Sequence, residues 1–321
     1  MAILSKMYFN AVFGGLGGLL GWMLFGVLGE KNPSELDKAF FFLSYLDVNA
    51  LLGGALIGGF IGFFVVSVEA IRDQSLVRFA RLASYGVVIA MLGGAIGMYI
   101  GDRIQQLLVS MVAQFLPLTM LARGLGWSLL GVAIGASEGL AARSLGKFSY
   151  GTIGGFLGGF LGGVLFELFR HFAQAGTTTT YFWSAMGLII LGACIGSLSA
   201  LVQTVFQPAN VKVLRGWQEG REYPLDKPAN LLGREEHVDI PLFRDMKVQK
   251  RHCYIKNVNS KYVLVNNGAP PEQTLVNEAP VSDQLELKDG DRIQLGDVLL
   301  RFQLRAASAR SGPKRKPVPA T

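Results

Sequence analysis

Cysteine and histidine are nearly missing from this chain. Its two cysteines, Cys194 and Cys253, fall in differently composed halves, and its three histidines are His171, His237 and His252. Two such cysteines build no disulfide framework, and neither has neighbours at metal-ligand spacing. The histidines lack partners at the spacing of a metal centre or a catalytic triad. No phosphate-cradling glycine loop ending in Lys-Ser or Lys-Thr occurs. The chain therefore reads as a non-enzyme, with no cofactor and no metal. Charge is scarce in one part only. Residues 1–205 carry few ionisable groups, and lysines and arginines concentrate after Lys212. Nothing in that pattern points to a nucleic-acid partner.

Glycine and long apolar runs are what the chain has in excess. Half of its 321 residues are hydrophobic and 41 are glycine, and the net charge is +7. About two domains are expected at this length. Apolar segments near 8–29, 50–71, 84–106, 123–142, 149–170 and 181–205 reach or approach the roughly 20 residues that cross a hydrocarbon core. Trp22, Trp127 and Trp183 lie in or near their ends, where an amphipathic ring can sit at headgroup level. The first run, Tyr8 to Leu28, is too long for a signal-peptide core.

The spans repeat. Leu16-Gly17-Gly18-x-x-Gly21 recurs as Leu92-Gly93-Gly94-x-x-Gly97 and as Leu157-Gly158-Gly159-x-x-Gly162. Ser84-Tyr85-Gly86 recurs as Ser149-Tyr150-Gly151. Gly62, Glu69, Ser75, Leu76 and Phe79 return at one offset as Gly131, Glu138, Ser144, Leu145 and Phe148. The third copy keeps Gly192 and places Ser199 where the acid stood. The expectation is a six-helix transmembrane bundle of three repeated hairpins, related by an axis along the membrane normal. Glycines 17, 18, 21, 93, 94, 97, 158, 159 and 162 strip side chains from one helix face. Backbones can then approach closely, either within the bundle or against another subunit.

Connections carry the topology signal. Ile71–Ala83 holds Arg72, Arg78 and Arg81, and Ala142–Phe148 holds Arg143 and Lys147, on the side of Lys6, Lys212 and Arg215. The other side has Lys31, Lys38, Arg103, Arg123 and Arg170. The positive-inside bias favours a multi-pass cell-membrane protein with both termini cytoplasmic. Two outer connections, Pro33 to Leu43 and Ile104 to Leu121, read as amphipathic helices along the interface. Glu69, Glu138, Asp102 and Glu167 fall close to span exits, and Glu167 precedes Arg170 by one turn. They read as groups solvated at the interface rather than as a transport path.

After Phe206 the period changes from helical to alternating. Short runs such as Val211–Val213, Glu222–Leu225, Tyr262–Val265, Ile293–Leu295 and Val298–Leu304 are separated by turn residues including Glu219-Gly220, Asn267-Gly268 and Asp289-Gly290. Many short strands so spaced mean an all-β sandwich or barrel. Leu232-Gly233-Arg234 is followed by Asp239-Ile240-Pro241-Leu242 and then by Val248-Gln249-Lys250-Arg251-His252. Tyr262-x-Leu264, Thr274-Leu275-Val276-Asn277 and Leu287 through Gly296 complete the order. In that order these elements resemble the forkhead-associated (FHA) domain. The resemblance covers roughly Val211 to Arg305 and implies a β-sandwich whose apical loops bind phosphothreonine peptides.

Residue by residue, the resemblance implies a phosphopeptide site of Arg234, Gln249, Lys250 and Thr274. Arg234 matches the phosphate-binding arginine, whose planar fork suits phosphate oxygens. Lys250 adds charge, and Thr274 matches a threonine whose hydroxyl can donate. His252 matches a histidine that holds the loop. Two positions depart from the family. Gln249 replaces a serine, and Glu272-Gln273 replaces the Asn-Gly before the threonine. Phosphothreonine recognition and phosphate-independent docking both stay open.

The expected organisation is a transmembrane domain over 1–206, an FHA-like sandwich over 207–305 and a disordered basic tail over 306–321. Three roles fit it. One is a membrane-anchored adaptor that docks a protein partner at the cytoplasmic face, either phosphorylated on threonine or unmodified. Another is a structural subunit of a larger membrane complex or homo-oligomer in the bilayer. The third is a channel or transporter regulated by the module. The topology has a direct test. A cysteine at Thr177 should react with an impermeant thiol reagent added to intact cells, and one at Ser308 should not. The reverse labelling pattern would overturn the orientation.

Overall fold

The computed structural model describes residues 2–28, 48–73, 76–111, 116–174, 180–259 and 261–305. The chain divides into two compact units, with the boundary between Phe206 and Gln207. The Pro33–Leu43 connection, the tail 306–321 and the side chain of Glu69 lie outside the described residues.

Among the described residues, six helices make the first unit: α1 (Ala2–Leu28), α2 (Val48–Asp73), α3 (Leu76–Met111), α4 (Leu116–Ala142), α5 (Leu145–Gln174) and α6 (Thr180–Phe206). All six are long and apolar enough to cross a membrane. Each packs on its neighbours in chain order, and α6 closes the ring on α1. The even helices also touch across the ring, α2 against α4 and α4 against α6. Burial follows the same division. The spans in α2, α4 and α6 are 61%, 50% and 56% buried, against 33%, 28% and 39% in α1, α3 and α5. Even helices thus line the centre, and odd helices form the outer staves.

The glycine boxes place the staves. Gly17 and Gly21 of α1 lie on the α2 backbone at Ile61 and Ile57, where an added Cβ would come within 2.6 and 2.8 Å of a Cα. Gly18 lies on the Leu188 carbonyl of α6. In α3, Gly93 and Gly97 face α4 at Ala133 and Leu130, while Gly94 faces the Gly54 carbonyl of α2. In α5, Gly158 and Gly162 face α6 at Ile195 and Leu191, while Gly159 faces the Trp127 carbonyl of α4. The first and third glycines of each box meet the following even helix, and the second meets the preceding one. Each odd helix is seated in a cleft between two even helices, where only hydrogen fits.

One sequence expectation changes here. Ile104 to Leu121 forms no separate interfacial helix. Its described parts prolong α3 to Met111 and begin α4 at Leu116. No proline or glycine interrupts Ile104–Met111, and Pro117 sits in the first turn of α4, where a missing N–H costs nothing. The acids are held by protein groups, and Glu167 keeps the one-turn pair with Arg170 that its spacing offers. Glu167 has a side chain only 4% exposed and accepts from Arg170 Nη2 at 2.6 Å and from Arg123 Nε at 3.3 Å. Arg123 also reaches Asp102 at 3.8 Å. Glu138 is buried and accepts from Gln203 Nε2 of α6 at 2.6 Å. Desolvation makes an unpaired charge at such positions costly, so each of these three acids is found with a donor.

Among the described residues, eleven strands make the second unit. One sheet has the order β2 (Glu222–Pro224), β1 (Ala209–Arg215), β11 (Val298–Leu304), β10 (Arg292–Leu295), β7 (Thr274–Val276), β8 (Ala279–Pro280). The other has β4 (Ile240–Pro241), β3 (Ala229–Gly233), β5 (Cys253–Val258), β6 (Lys261–Asn266), β9 (Gln284–Leu287). Alternation puts Ala209, Val211 and Val213 of β1 inward, and they share one core with Leu232, Ile255, Leu264, Ile293, Leu300 and Phe302. The result is a two-sheet sandwich. Strand β3 escapes the alternating pattern because four of its five residues are buried in succession.

Seating by glycine generates a prediction. Gly94→Leu or Gly159→Leu should drive α2 from α3, or α4 from α5. Overpacking of this kind costs about 1–3 kcal/mol or more. Thermal aggregation of the detergent-solubilised chain should shift to lower temperature. An unchanged transition in both variants would mean that these clefts yield freely.

Candidate functional site at one end of the sandwich

Arg234 follows directly on β3, whose Leu232 and Gly233 pair in parallel with Ile240 and Pro241 of β4. A Cβ at Gly233 would fall on the Lys250 carbonyl. That contact lets the segment 248–252 lie against the end of β3. Two backbone hydrogen bonds then join the loops: Arg234 N–H donates to Gln249 O at 3.0 Å, and Glu235 N–H to Lys250 O at 3.3 Å. The structure thus brings Arg234, Gln249 and Lys250 together. Lys250 is exposed, and Arg234 and Gln249 are half-buried.

His252 ties this pair of loops to a third. It is fully buried, and its backbone N–H donates to Leu232 O at 2.8 Å. Gln249 N–H donates to His252 Nδ1 at 3.1 Å, which makes Nδ1 an acceptor and leaves the ring proton on Nε2. Nε2 meets Thr274 Oγ1 at 2.9 Å. Burial pushes the imidazole below its ordinary pKa, outweighing the Gln273 backbone hydrogen bond and the Asp245 charge. Burial also raises the neighbouring Cys253 thiol, which keeps it protonated and unreactive.

Thr274 requires a correction. The resemblance offered its hydroxyl to a bound peptide, but Thr274 is fully buried and its hydroxyl faces His252. It braces the loops from behind. Glu272 is exposed on the short turn Pro271–Gln273, and the Gln273 carbonyl accepts from Gly296 N–H at 3.0 Å.

Sequence reasoning passed over the segment 243–247. Asp245 anchors it, accepting from Lys247 N–H at 2.9 Å and from Asp297 N–H at 2.6 Å. Lys247 Nζ bonds Asp297 at 2.8 Å, and that carboxylate raises the lysine pKa. Arg244 adopts a left-handed backbone at φ 67° and lays its guanidinium 3.3 Å from the centre of the Trp217 ring. Met246 is 79% exposed, and its sulfur lies 2.9 Å from Arg234 Nη1. Arg234 Nε is buried with no hydrogen-bond partner. Nothing marked Met246.

Residues 212–306 match the family described as the inner membrane component of T3SS, cytoplasmic domain. No curated protein matches the chain. Among solved structures, a domain from a study of phosphothreonine-dependent FHA domain interactions is 28% identical, with a TM-score of 0.28, over 30% of this chain and 97% of that one. An FHA domain complexed with another protein's intracellular domain is also 28% identical, with a TM-score of 0.27, over 30% of this chain and 99% of that one. An FHA domain from Chlamydia trachomatis is 22% identical, with a TM-score of 0.28, over 31% of this chain and 99% of that one. The C-terminal unit is an FHA-like two-sheet sandwich that follows six membrane-length helices. Among the described residues, no group of three or more His, Cys, Asp or Glu is placed to hold a metal ion.

The buried His252 sets a pH dependence. Its folded pKa lies below the free value of about 6.5, so the unfolded chain takes up the proton first. Its stabilisation is complete above that pH and is lost as pH falls below it. Hydrogen-exchange protection across residues 249–276, corrected for intrinsic rates, should fall between about pH 7.5 and 5.5. His252→Gln should remove most of that slope. A wild-type protection profile flat with pH would refute the neutral-imidazole latch.

Proposed function

We propose that the chain is a membrane-anchored docking protein. Its FHA-like module binds a protein partner at the cytoplasmic face through Arg234, Gln249 and Lys250. One observation carries this reading. Arg234 stands at the end of the sandwich with its Nε unpartnered and one Nη on a thioether, a weak acceptor. Such a fork lacks the two strong acceptor oxygens it is shaped for, and a phosphate or carboxylate of a partner supplies them. The resemblance to the FHA domain, whose apical loops bind phosphothreonine peptides, favours a phosphothreonine partner. Gln249 retains an amide donor in place of a hydroxyl, and Glu272 adds a negative charge that weakens the site. Only Gln207 and Pro208 separate α6 from β1, so the module is joined to the last span by a short tether.

A second reading has its own support. The matching family is described by its place in a secretion-system inner membrane, which favours a subunit of a larger membrane assembly. The two readings are compatible if the module docks on other subunits. Co-purification in mild detergent distinguishes them. Stoichiometric partners that persist after Arg234→Ala favour the subunit role.

Peptide binding by the detergent-solubilised chain tests the first reading. Phosphothreonine peptides should bind in preference to unphosphorylated ones. Arg234→Ala should weaken binding by about ten- to a hundredfold, since a charge-assisted hydrogen bond contributes about 1.5–3 kcal/mol. Gln249→Ser combined with Glu272→Asn should strengthen it. Equal binding of both peptide forms, unmoved by these variants, would leave a phosphate-independent docking platform.

A further inference from the structure

The contact between Met246 and Arg234 has a chemistry of its own. Met246 is 79% exposed, yet its position is fixed from both sides. Asp245 before it caps the Lys247 and Asp297 amides, and Lys247 after it is bonded to the Asp297 carboxylate. The thioether is thereby held 2.9 Å from Arg234 Nη1 while open to solvent on its other side. Arg234 Nε has no partner. A reactive sulfur thus lies next to a cationic group short of acceptors.

We propose that Met246 is a peroxide-sensitive modification site that controls access to Arg234. The sulfur lone pair attacks the O–O bond of hydrogen peroxide or an alkyl hydroperoxide. One oxygen is transferred to sulfur, the thioether is oxidised by two electrons to the sulfoxide, and the peroxide leaves as water or an alcohol. The product is polar, with an oxygen far stronger as an acceptor than the sulfur it replaces. That oxygen stands within reach of the guanidinium and occupies it, as a phosphate oxygen of a partner would. Oxidation converts a weak cap on Arg234 into a competing ligand. The regulatory part of this inference rests on the docking role proposed for Arg234. The capping chemistry does not.

The test uses the full chain in detergent, treated with dilute hydrogen peroxide and then with phenylglyoxal, which modifies free guanidinium groups. Peptide mass spectrometry reads both events. Met246 should oxidise readily, and Arg234 should then react with phenylglyoxal severalfold more slowly. In Met246→Leu, a surface change that leaves the fold intact, peroxide should not alter the Arg234 rate. Met246→Gln, which carries an amide oxygen, should slow Arg234 labelling without peroxide. Binding of a phosphothreonine peptide is measured in parallel and should fall severalfold on oxidation of the wild-type chain only. A Met246 that stays reduced, or an Arg234 rate that ignores its oxidation, overturns the proposal. So does peptide binding that survives complete Met246 oxidation. If the untreated chain binds no peptide, the docking reading fails, and the labelling arms still decide the capping chemistry.

Discussion

Close approach of one backbone to another, with no room for a Cβ, is the constraint on which both units depend. In the bundle it is met at the glycine boxes, where each odd helix enters the cleft between two even ones. Lipid supplies no hydrophobic drive between helices, so dispersion across short gaps must hold them. A methyl at Gly18, Gly94 or Gly159 would land on a carbonyl of the neighbouring helix. In the sandwich the same constraint appears once, at Gly233, which touches the Lys250 carbonyl. Without that contact the Arg234 and Gln249 backbones could not pair, and the candidate site would have no shared floor.

Charge breaks the threefold pattern that glycine builds. Asp102 and Glu167 occupy equivalent places in their repeats, and Arg123 lies between them from the intervening helix. By the offset that relates Gly131 to Gly192, the third copy holds Ser184 where Arg123 stands. Ser184 accepts from the Trp22 indole N–H at 3.2 Å instead. The second and third hairpins are therefore joined by a charged bridge, and the equivalent position against the first hairpin has a neutral hydrogen bond. Removing one member of a buried ionic set costs more than the set contributes.

Much of this was legible. The apolar runs, the recurring glycine boxes and the turn residues gave six helices and most strands, because each depends on period and local backbone preference. The loop set was legible through Leu232-Gly233-Arg234 and the run ending at His252. Contacts that depend on rotation about an element's axis were not. Thr274 belongs to a loop motif, yet strand alternation turns its hydroxyl inward to His252. Arg123 counted in the sequence as one outer charge, but helix phase aims it at Glu167, distant in the chain. Strand β3 was hidden because burial in succession erases the alternation that marks a strand. The extension of α3 to Met111 and the start of α4 at Leu116 were read instead as a separate interfacial helix, although no proline or glycine ends α3 between Ile104 and Met111.

The exceptions to local satisfaction then become informative. Around the end of the sandwich most polar groups have strong partners: Asp245 caps two amides, Lys247 meets Asp297, and His252 uses both ring nitrogens. Arg234 breaks that rule, with a buried Nε unpaired and a thioether as its side-chain contact. Leaving a buried donor unsatisfied costs about 1–3 kcal/mol. Under the docking role proposed above, the acceptor that removes this cost comes from outside the chain. The surrounding lattice of satisfied groups holds the loops on which Arg234 stands.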